Sequence, residues 1–266
     1  MPTLMASDGC RVTYDVSGNG EALLLIPGLG GAAGFWNDIV PLLADRYMII
    51  AFDHRGTARS DRPPGKYAIS RIARDAVEIL RAENVEKAHI AGHSTGGMVA
   101  QFIALDAPEA VRSLTISGSW EKPDARFIAM FEARLGVLRA AGPREYQKLT
   151  HALGFPSAFL EAHAGLLERA IENADGALSP REVAEARIEM LLSGERSGEL
   201  HRIAAPTLVI GATDDALIPF SHSRTLAAMI PGARLAVIDG AHFFPRVHPG
   251  QYAKTLRDFL EETHAQ

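Results

Sequence analysis

The sequence predicts an α/β protein in which a mostly parallel, doubly wound sheet carries an inserted helical cap. Short apolar runs alternate with amphipathic helical stretches in the first and last parts of the chain, as in a parallel sheet covered on both faces. The middle of the chain has helical composition and no strand-like run. These observations divide the 266 residues into a first core part at 1–119, a cap at 120–201 and a second core part at 202–266.

The first core part opens with two strands joined by residues 17–20 (SGNG), which favour a tight reversal. Each later strand is an apolar run that stops at proline, glycine or a charged residue, and each helix has apolar residues on one face. The predicted strands are residues 11–16, 22–26, 48–52, 88–91 and 114–117, and the predicted helices are residues 36–43, 69–80 and 95–105.

The cap differs from the core in composition. Alanine, leucine, glutamate and arginine dominate it, and glycine or proline interrupts its helices at 142–143, 154–156 and 179–180. The alternation of strand and helix then resumes. The second core part is predicted to contain strands at 207–210 and 234–238 and helices at 221–229 and 249–260.

Composition and charge exclude several classes of function. The formal charge is −5 without a basic stripe, so nucleic acid is not an expected partner. The single cysteine, Cys10, excludes an internal disulfide, and no signal-like start or bilayer-spanning apolar run is present. No His-Glu-x-x-His or Cys-x-x-Cys pattern indicates a metal ion. We expect a cytoplasmic protein that acts on a small molecule without a cofactor or a membrane partner, and its oligomeric state stays open.

A serine stands at a glycine-rich turn between the predicted strand at 88–91 and the predicted helix at 95–105. Gly92 and Gly96 lie two residues before and two residues after Ser94. Glycine permits the sharp backbone turn that exposes a hydroxyl above the edge of a sheet. The pattern is typical of a nucleophilic serine, and its weight depends on whether an acid and a histidine follow.

An acid and a histidine do follow Ser94, at the ends of later strands. Asp214 and Asp215 come after the strand at 207–210, and His242 comes after the strand at 234–238. Ligands of open α/β sheets bind at the carboxyl ends of the strands, so we expect these side chains to meet. Histidine can take a hydroxyl proton near neutral pH, and a carboxylate orients the imidazole. The order serine, acid, histidine is the one expected after such a turn.

A serine nucleophile also needs backbone N–H groups that stabilise the oxyanion. Thr95 follows the nucleophile directly and offers one N–H group, and Leu29, in the glycine-rich loop after the strand at 22–26, offers the other. Aromatic residues of the cap are candidates for the substrate pocket, although the sequence does not separate pocket lining from core. They are Trp120, Phe127 and Phe155.

Several other polar residues are predicted to have structural roles. Asp53 and Arg55 follow a buried strand, and we interpret them as an ion pair that locks the loop. His151 and His163 lie in the cap, and we interpret both as surface residues.

The chain resembles the α/β-hydrolase superfamily across nearly its whole length. The resemblance rests on residues 26–30 (IPGLG), 53–56 (DHRG), 92–97 (GHSTGG), 206–210 (PTLVI) and 240–242 (GAH). Within the superfamily it is similar to the capped branch of 3-oxoadipate enol-lactonases and of the aminoacrylate hydrolases of pyrimidine degradation. Residues 119–126 are similar to the latter group. The resemblance implies an α/β-hydrolase fold with the cap inserted after the sixth strand.

Three positions depart from the pattern of the family. Ala58 stands at the second glycine of the Asp-x-Arg-Gly-x-Gly loop, Ala212 stands where glycine is common, and His248 stands where glutamate is common. None of these changes removes a candidate catalytic residue.

The resemblance also favours one of the two adjacent aspartates as the acid. Relatives usually have a proline four residues after the acid, and Pro219 lies four residues after Asp215. A spacing of nine residues from Pro206 indicates the same aspartate. We therefore prefer Asp215 to Asp214.

Together these residues predict a serine hydrolase that needs no cofactor. Ser94 attacks a small carboxylic ester or an enol-lactone, with amides and carbamates as further options, and His242 and Asp215 assist it. A carbon–carbon bond hydrolase acting on a vinylogous diketone can carry the same three residues, and so can a non-catalytic ligand receptor.

A nicotinamide-dependent dehydrogenase is the alternative from a different class of enzyme. Gly28, Gly30 and Ala33 satisfy a loose Gly-x-Gly-x-x-Ala pattern, and Asp53 ends the next strand, where a ribose-binding acid belongs. That alternative leaves the serine, acid and histidine unexplained.

Overall fold

An eight-stranded sheet forms the centre of the protein in the computed structural model, which describes residues 1–177 and 179–264. The strands are β1 (Thr3–Met5), β2 (Arg11–Ser17), β3 (Glu21–Ile26), β4 (Tyr47–Phe52), β5 (Ala88–His93), β6 (Val111–Ser117), β7 (Thr207–Gly211) and β8 (Arg234–Val237). They pair in the order β1-β2-β4-β3-β5-β6-β7-β8. β2 is antiparallel to β1 and β4, and the other neighbouring pairs are parallel. The predicted mostly parallel sheet is therefore confirmed, and β1 is a short edge strand that the sequence did not predict.

Helices cover the sheet and make up most of the segment between β6 and β7. The α-helices are α1 (Val40–Leu43), α2 (Ile69–Ala82), α3 (Thr95–Asp106), α4 (Ala125–Gly154), α5 (Ser157–Ala162), α6 (Ala164–Glu172), α7 (Ala174–Ala177), α8 (Arg181–Ser193), α9 (Phe220–Met229), α10 (Phe244–Val247) and α11 (Pro249–His264). Short 3₁₀ turns lie at Ala33–Trp36, Pro108–Ala110 and Ser197–Arg202. Within the described ranges, we find no helix with both the length and the apolar character needed to cross a membrane.

The two faces of the sheet carry separate apolar clusters, because side chains alternate along each strand. In β3, Leu24 and Ile26 belong to the cluster that includes α2 and α3, whereas Leu23 and Leu25 belong to the cluster that includes α11. Burying one such side chain contributes about 1.5–3 kcal/mol. Both faces are therefore covered, and polar side chains collect at the carboxyl ends of the strands.

The helices α4 to α8 come after β6 in the chain. They span residues 125–193, within the segment at 120–201 that the sequence predicts as the cap. α4 contains a kink at Gly142, which has a φ of 84° and directly precedes Pro143. Proline has no N–H group and clashes with the preceding turn, so the helix changes direction there. Pro156 and Pro180 stand immediately before α5 and α8. The three interruptions predicted from the sequence thus coincide with the kink and with helix boundaries.

Hydrogen bonds to loops at the carboxyl ends of the strands hold the cap over the sheet. Arg187 of α8 donates from Nη1 to the carbonyl oxygen of Arg55 at 2.7 Å. The carbonyl oxygen of Gly154, at the end of α4, accepts from the N–H of Phe243 at 2.8 Å. These contacts place the cap over the carboxyl ends of the strands, where the candidate catalytic residues were expected.

Candidate active site

Ser94 occupies a strained turn between β5 and α3. Its backbone has φ 55° and ψ −119°, a combination that costs a residue with a side chain on the order of 1–3 kcal/mol. The turn places Ser94 after the last residue of β5 and before the first residue of α3, and leaves it 7% exposed. Such strain persists only where the surrounding structure enforces it.

Two glycines enforce that turn through close backbone approaches. A Cβ atom on Gly92 would lie 2.1 Å from the carbonyl oxygen of Gly96, and a Cβ atom on Gly96 would lie 2.1 Å from the carbonyl oxygen of Ile26. No larger residue fits at either position without moving the backbone. The glycines therefore let α3 begin directly against β3 and β5.

The structure brings Ser94, His242 and Asp215 together in one hydrogen-bonded chain. His242 Nε2 lies 3.0 Å from Ser94 Oγ, and His242 Nδ1 lies 2.7 Å from Asp215 Oδ2. An ionised carboxylate only accepts hydrogen bonds, so Nδ1 carries the proton and Nε2 is free to accept from the serine hydroxyl. His242 and Asp215 are only 4% and 6% exposed, so water competes little for these bonds.

The two adjacent aspartates make different contacts. Asp215 Oδ1 accepts from the backbone N–H groups of Leu217 and Ile218, both at 2.8 Å, while Oδ2 faces His242. Asp214 instead accepts from the N–H groups of Gly240 and Ala241, within 3.0–3.2 Å. The geometry favours Asp215 as the acid that orients the imidazole, whereas Asp214 holds the loop that leads into it.

A second histidine supports the ring of His242. His93 is fully buried, and its ring centroid lies 5.0 Å from that of His242. Burial lowers the pKa of His93 well below its ordinary value, and the neighbouring His242 lowers it further. His93 therefore stays neutral and adds no charge beside the candidate catalytic imidazole.

The N–H groups of Leu29 and Thr95 are the candidate donors to an oxyanion. A Cβ atom on Gly28 would lie 3.2 Å from Ser94 Cβ, so the loop that carries Leu29 runs directly against the serine. Within residues 1–177 and 179–264, neither N–H group donates to a protein acceptor. Arg187 Nη2 donates to the carbonyl oxygen of Leu29 at 2.9 Å and anchors this loop from the cap.

A cavity of about 370 Å³ opens at Ser94 and His242 and extends under the cap. Phe155 lines it, as one of the three aromatic residues predicted for the pocket. Trp120 and Phe127 do not line it, because they are fully buried in the core and pack on each other with ring centroids 4.6 Å apart. Phe131, one turn after Phe127 on α4, lines the cavity in their place. The pocket prediction is corrected accordingly.

Sequence reasoning missed the charged residues of this cavity. Arg134, Arg187 and Arg246 line it, and among the residues that the structure describes no aspartate and no glutamate does so. The sequence contained a signal. Arg134 stands seven residues after Phe127, a spacing that places both residues on one face of a helix, and in the structure that face of α4 is buried. An arginine on the buried face of an amphipathic helix needs a structural or functional explanation.

The interpretation of His151 as a surface residue was wrong. Its side chain is 7% exposed and lines the cavity, and burial together with the nearby Arg246 lowers its pKa. The helical sequence around it gives no indication of which side faces inward. His163 is exposed, as expected, and stacks on Phe159 with ring centroids 4.0 Å apart.

The predicted pair of Asp53 and Arg55 does not form. Arg55 pairs with Asp75 of α2 at 2.7 Å, whereas Asp53 pairs with Arg59 at 2.5 Å. Asp53 also accepts from the N–H of Ala33 at 2.8 Å and is 1% exposed. Both carboxylate oxygens of Asp53 accept hydrogen bonds from the protein, so the buried side chain is not presented to a ribose. This arrangement argues against the nicotinamide alternative.

Known proteins share both the sequence and the fold. A family model described as the alpha/beta hydrolase fold matches residues 21–249. A putative carbamate hydrolase RutD of Azorhizobium caulinodans is 38% identical over 250 residues, covering 94% of each chain. The crystal structure of a hydrolase from Pseudomonas aeruginosa PA01 has a TM-score of 0.88 at 28% identity, covering 97% of each chain. The enol-lactonase from Burkholderia xenovorans LB400 shares the fold, with a TM-score of 0.89 at 22% identity over 98% of this chain and 100% of its own.

These matches agree with the eight-stranded, mostly parallel sheet. The family model spans the core on both sides of the cap. The chain belongs to the α/β-hydrolase family, and it is a hydrolase.

Proposed function

We propose that the protein is a serine hydrolase that cleaves a small carboxylic ester or an enol-lactone through an acyl-enzyme at Ser94. The observation that carries this proposal is the buried chain of hydrogen bonds from Ser94 through His242 to Asp215. A serine hydroxyl is a weak nucleophile unless a base is within hydrogen-bond reach, and His242 meets that condition.

In the acylation step, Ser94 Oγ attacks the substrate carbonyl carbon while its proton passes to His242 Nε2. Asp215 stabilises the resulting imidazolium through Nδ1–H. The carbonyl oxygen becomes an oxyanion that accepts from the N–H groups of Leu29 and Thr95. The bond to the leaving oxygen then breaks, and His242 returns the proton to that oxygen.

Deacylation repeats this sequence with water. His242 takes a proton from a water molecule, which attacks the acyl carbon, and the bond from that carbon to Ser94 Oγ breaks. The proton returns to Ser94, and the carboxylic acid product is released. One water molecule is consumed and the enzyme is regenerated.

A carbamate is the second candidate for the substrate. The relative that is 38% identical bears the name of a putative carbamate hydrolase, and it covers 94% of this chain. Attack of Ser94 on a carbamate carbonyl uses the same base and the same N–H groups, and gives a carbamoyl-enzyme in place of an acyl-enzyme.

The proposal is tested with an activated ester and with single variants. We expect p-nitrophenyl acetate to give a burst of p-nitrophenol equal to the enzyme concentration, and a fluorophosphonate to add its mass at Ser94. Ser94→Ala and His242→Ala should each lower kcat by at least roughly 10⁴-fold, because the nucleophile and its base act as one unit.

Matched controls are available for both variants. Ser70→Ala changes a serine in α2, and His163→Ala changes an exposed histidine in the cap, so each should retain wild-type turnover. The proposal is wrong if Ser94→Ala keeps wild-type turnover on every ester that the native enzyme cleaves.

A further inference from the structure

Arg187 of α8 is a buried cation that holds backbone carbonyl groups of two core loops. It is 2% exposed, and it donates from Nη1 to the carbonyl oxygen of Arg55 at 2.7 Å and from Nη2 to that of Leu29 at 2.9 Å. Burial lowers its pKa to about 10, so it keeps its charge at neutral pH. Buried arginines are normally paired with an acidic group, because an unpaired charge is costly to bury. A buried arginine that bonds to carbonyl groups instead therefore needs an explanation.

The loop that contains Leu29 is a β-turn. Residues 28–31 (GLGG) form it, and the N–H of Gly31 donates to the carbonyl oxygen of Gly28 at 2.9 Å. Leu29 and Gly30 are its central residues, so the carbonyl group of Leu29 belongs to the central peptide. Turns of types I and II differ by a rotation of this peptide through about 180°, while the φ of the second residue stays the same. The hydrogen bond that closes the turn therefore leaves the orientation of the central peptide open.

The local sequence favours a different turn from the one that forms. Glycine at the third position is typical of a type II turn, which needs a positive φ there. Gly30 occupies that position, but its φ is not positive, whereas that of the next residue, Gly31, is 69°. The hydrogen bond from Arg187 explains this difference, because a rotated central peptide would direct the Leu29 carbonyl group away from the guanidinium. A contact from the cap thus overrides the preference of the turn sequence.

The packing around the turn leaves its centre free on the side of the core. The carbonyl oxygen of Gly31 accepts from the N–H of His54 at 2.7 Å, so the core fixes the end of the turn. A Cβ atom on Gly31 would lie 2.8 Å from Arg187 Nη2, so the guanidinium lies directly against the turn. A Cβ atom on Gly30 would meet no heavy atom within 4 Å. The centre of the turn is therefore held by Arg187 of the cap.

We propose that Arg187 is a positioning residue for the reaction at Ser94, because it holds the central peptide of the 28–31 turn in the orientation that the oxyanion site requires. This inference rests on the proposed function. Rotation would reverse a peptide dipole directly beside the N–H of Leu29, and an oxyanion is stabilised by dipoles that are oriented before the reaction. The fork of a guanidinium suits this task, since it donates charge-assisted hydrogen bonds to two loops at once. The oxyanion site is then complete only while α8 is docked on the core.

A double-mutant cycle on Arg187 and Gly30 tests the proposal. Arg187→Met should lower kcat/KM for p-nitrophenyl acetate by on the order of 10- to 100-fold, which is less than the loss of an oxyanion donor itself. Alanine at position 30 disfavours the positive φ of the rotated turn by roughly tenfold. In the Gly30→Ala background, the loss caused by Arg187→Met should therefore be smaller by about tenfold. An equal loss in both backgrounds would mean that Arg187 acts through its charge or through the packing of the cap, and would overturn the proposal.

The chain offers a matched control for each substitution. Gly34 also lines the cavity and has no positive φ, but it lies outside the turn, so the loss caused by Arg187→Met should keep its full size in the Gly34→Ala background. Arg181 is exposed on the same helix as Arg187 and pairs with Glu185, so Arg181→Met should keep the wild-type kcat/KM. Relief by Gly34→Ala as large as that by Gly30→Ala would overturn the assignment to the turn.

NMR spectra of protein with isotope-labelled glycine report the turn without turnover, and they separate this inference from the proposed function. The signal of Gly30 is identified by its loss in Gly30→Ala. We expect Arg187→Met, or Arg187→Lys if the methionine variant does not fold, to shift or split this signal, and Arg181→Met to leave it unchanged. If the signal responds in this way but Ser94→Ala hydrolyses esters as well as the wild type, Arg187 holds the turn and the proposed function is wrong. If hydrolysis depends on Ser94 but the Gly30 signal does not respond to Arg187, the hydrolase stands and the positioning role is wrong.

Discussion

The buried arginines of the core and of the cap differ in the charge of their partners. In the core, Arg55 is paired with Asp75 at 2.7 Å and with Asp8 at 2.8 Å. In the cap, the hydrogen bonds that Arg134 and Arg187 make to described residues all go to neutral groups. Breaking a buried ion pair is costly, because the partner left behind keeps its charge. The core therefore uses its charges to hold the fold, whereas the cap keeps positive charge available at the cavity.

The same contrast applies to the candidate catalytic residues. Asp215 is the buried acid of the site, and the fold gives it two backbone N–H donors as well as His242. Its charge is thus satisfied before any substrate arrives. Under the proposed function, the core supplies reacting groups that are already oriented, and the cap forms part of the cavity through which a substrate reaches them.

The largest expected effect is the loss of kcat when Asp215, the candidate acid in the core, loses its charge. Asp215→Asn should lower kcat on p-nitrophenyl acetate by roughly 10³–10⁴-fold, because the imidazole loses the group that sets its tautomer and stabilises its charged form. Asp214→Asn is the matched control and should lower kcat by less than about 10-fold, since the hydrogen bonds of Asp214 to described residues come from the backbone N–H groups of Gly240 and Ala241. The reverse order would show that Asp214 is the acid.

The next effect compares the stabilities of core and cap variants. Arg55→Met should lower the free energy of unfolding by about 1.5–3 kcal/mol, because it leaves the buried Asp75 with Arg71 as its remaining cationic partner. Arg134→Met should cost less than about 1.5 kcal/mol, because the lost hydrogen bonds are offset by removal of an unpaired buried cation. Urea unfolding measures both, with Arg139→Met as an exposed control. Equal losses at Arg55 and Arg134 would contradict the contrast.

The smallest expected effect is on the pH dependence of the free energy of unfolding, and it comes from His54, which lies beside Arg187. His54 is fully buried, and burial and Arg187 lower its pKa well below the ordinary 6.5. Below pH 6.5 the unfolded chain binds a proton that the folded protein does not, so stability is complete above that pH and is lost as the pH falls. His54→Asn should reduce the slope of the unfolding free energy by about 1.4 kcal/mol per pH unit between roughly pH 6 and 5.

His163→Asn is the control for that measurement, because His163 is exposed on the cap. It should leave the slope as it is in the wild type. An unchanged slope in His54→Asn would show that His54 accepts a proton in the folded protein, despite lying 3.3 Å from Arg187 Nη2.

Much of the core was predictable because local sequence and tertiary structure agree there. Apolar runs ending in glycine or charge identified the internal strands, and the turn at Ser94 was visible from Gly92 and Gly96. The strand β1 was not predicted, since it has only three residues and lies at the edge of the sheet. The pairing of Asp53 and Arg55 was wrong, because adjacency along a loop does not determine which side each residue faces.

The cap was less predictable, because the inward faces of its helices depend on how they pack. The sequence located its helix breaks, but it did not distinguish Phe131 from Phe127 as the residue that lines the cavity. It also gave His151 a surface position that the packing of α4 contradicts.

By itself, the sequence determined the α/β class, the order of Ser94, Asp215 and His242, and the strand ends that carry them, because hydrophobic periodicity and glycine placement act over a few residues. Only the tertiary structure decided that Arg134 lines the cavity and that no acidic residue of the described chain lines it too, since that depends on how α4 packs over the sheet. The distances between charged side chains in a cavity depend on how segments that are far apart in the sequence pack together. For that reason the proposed reaction type could be inferred from the chain, whereas the charged lining of the cavity required the fold.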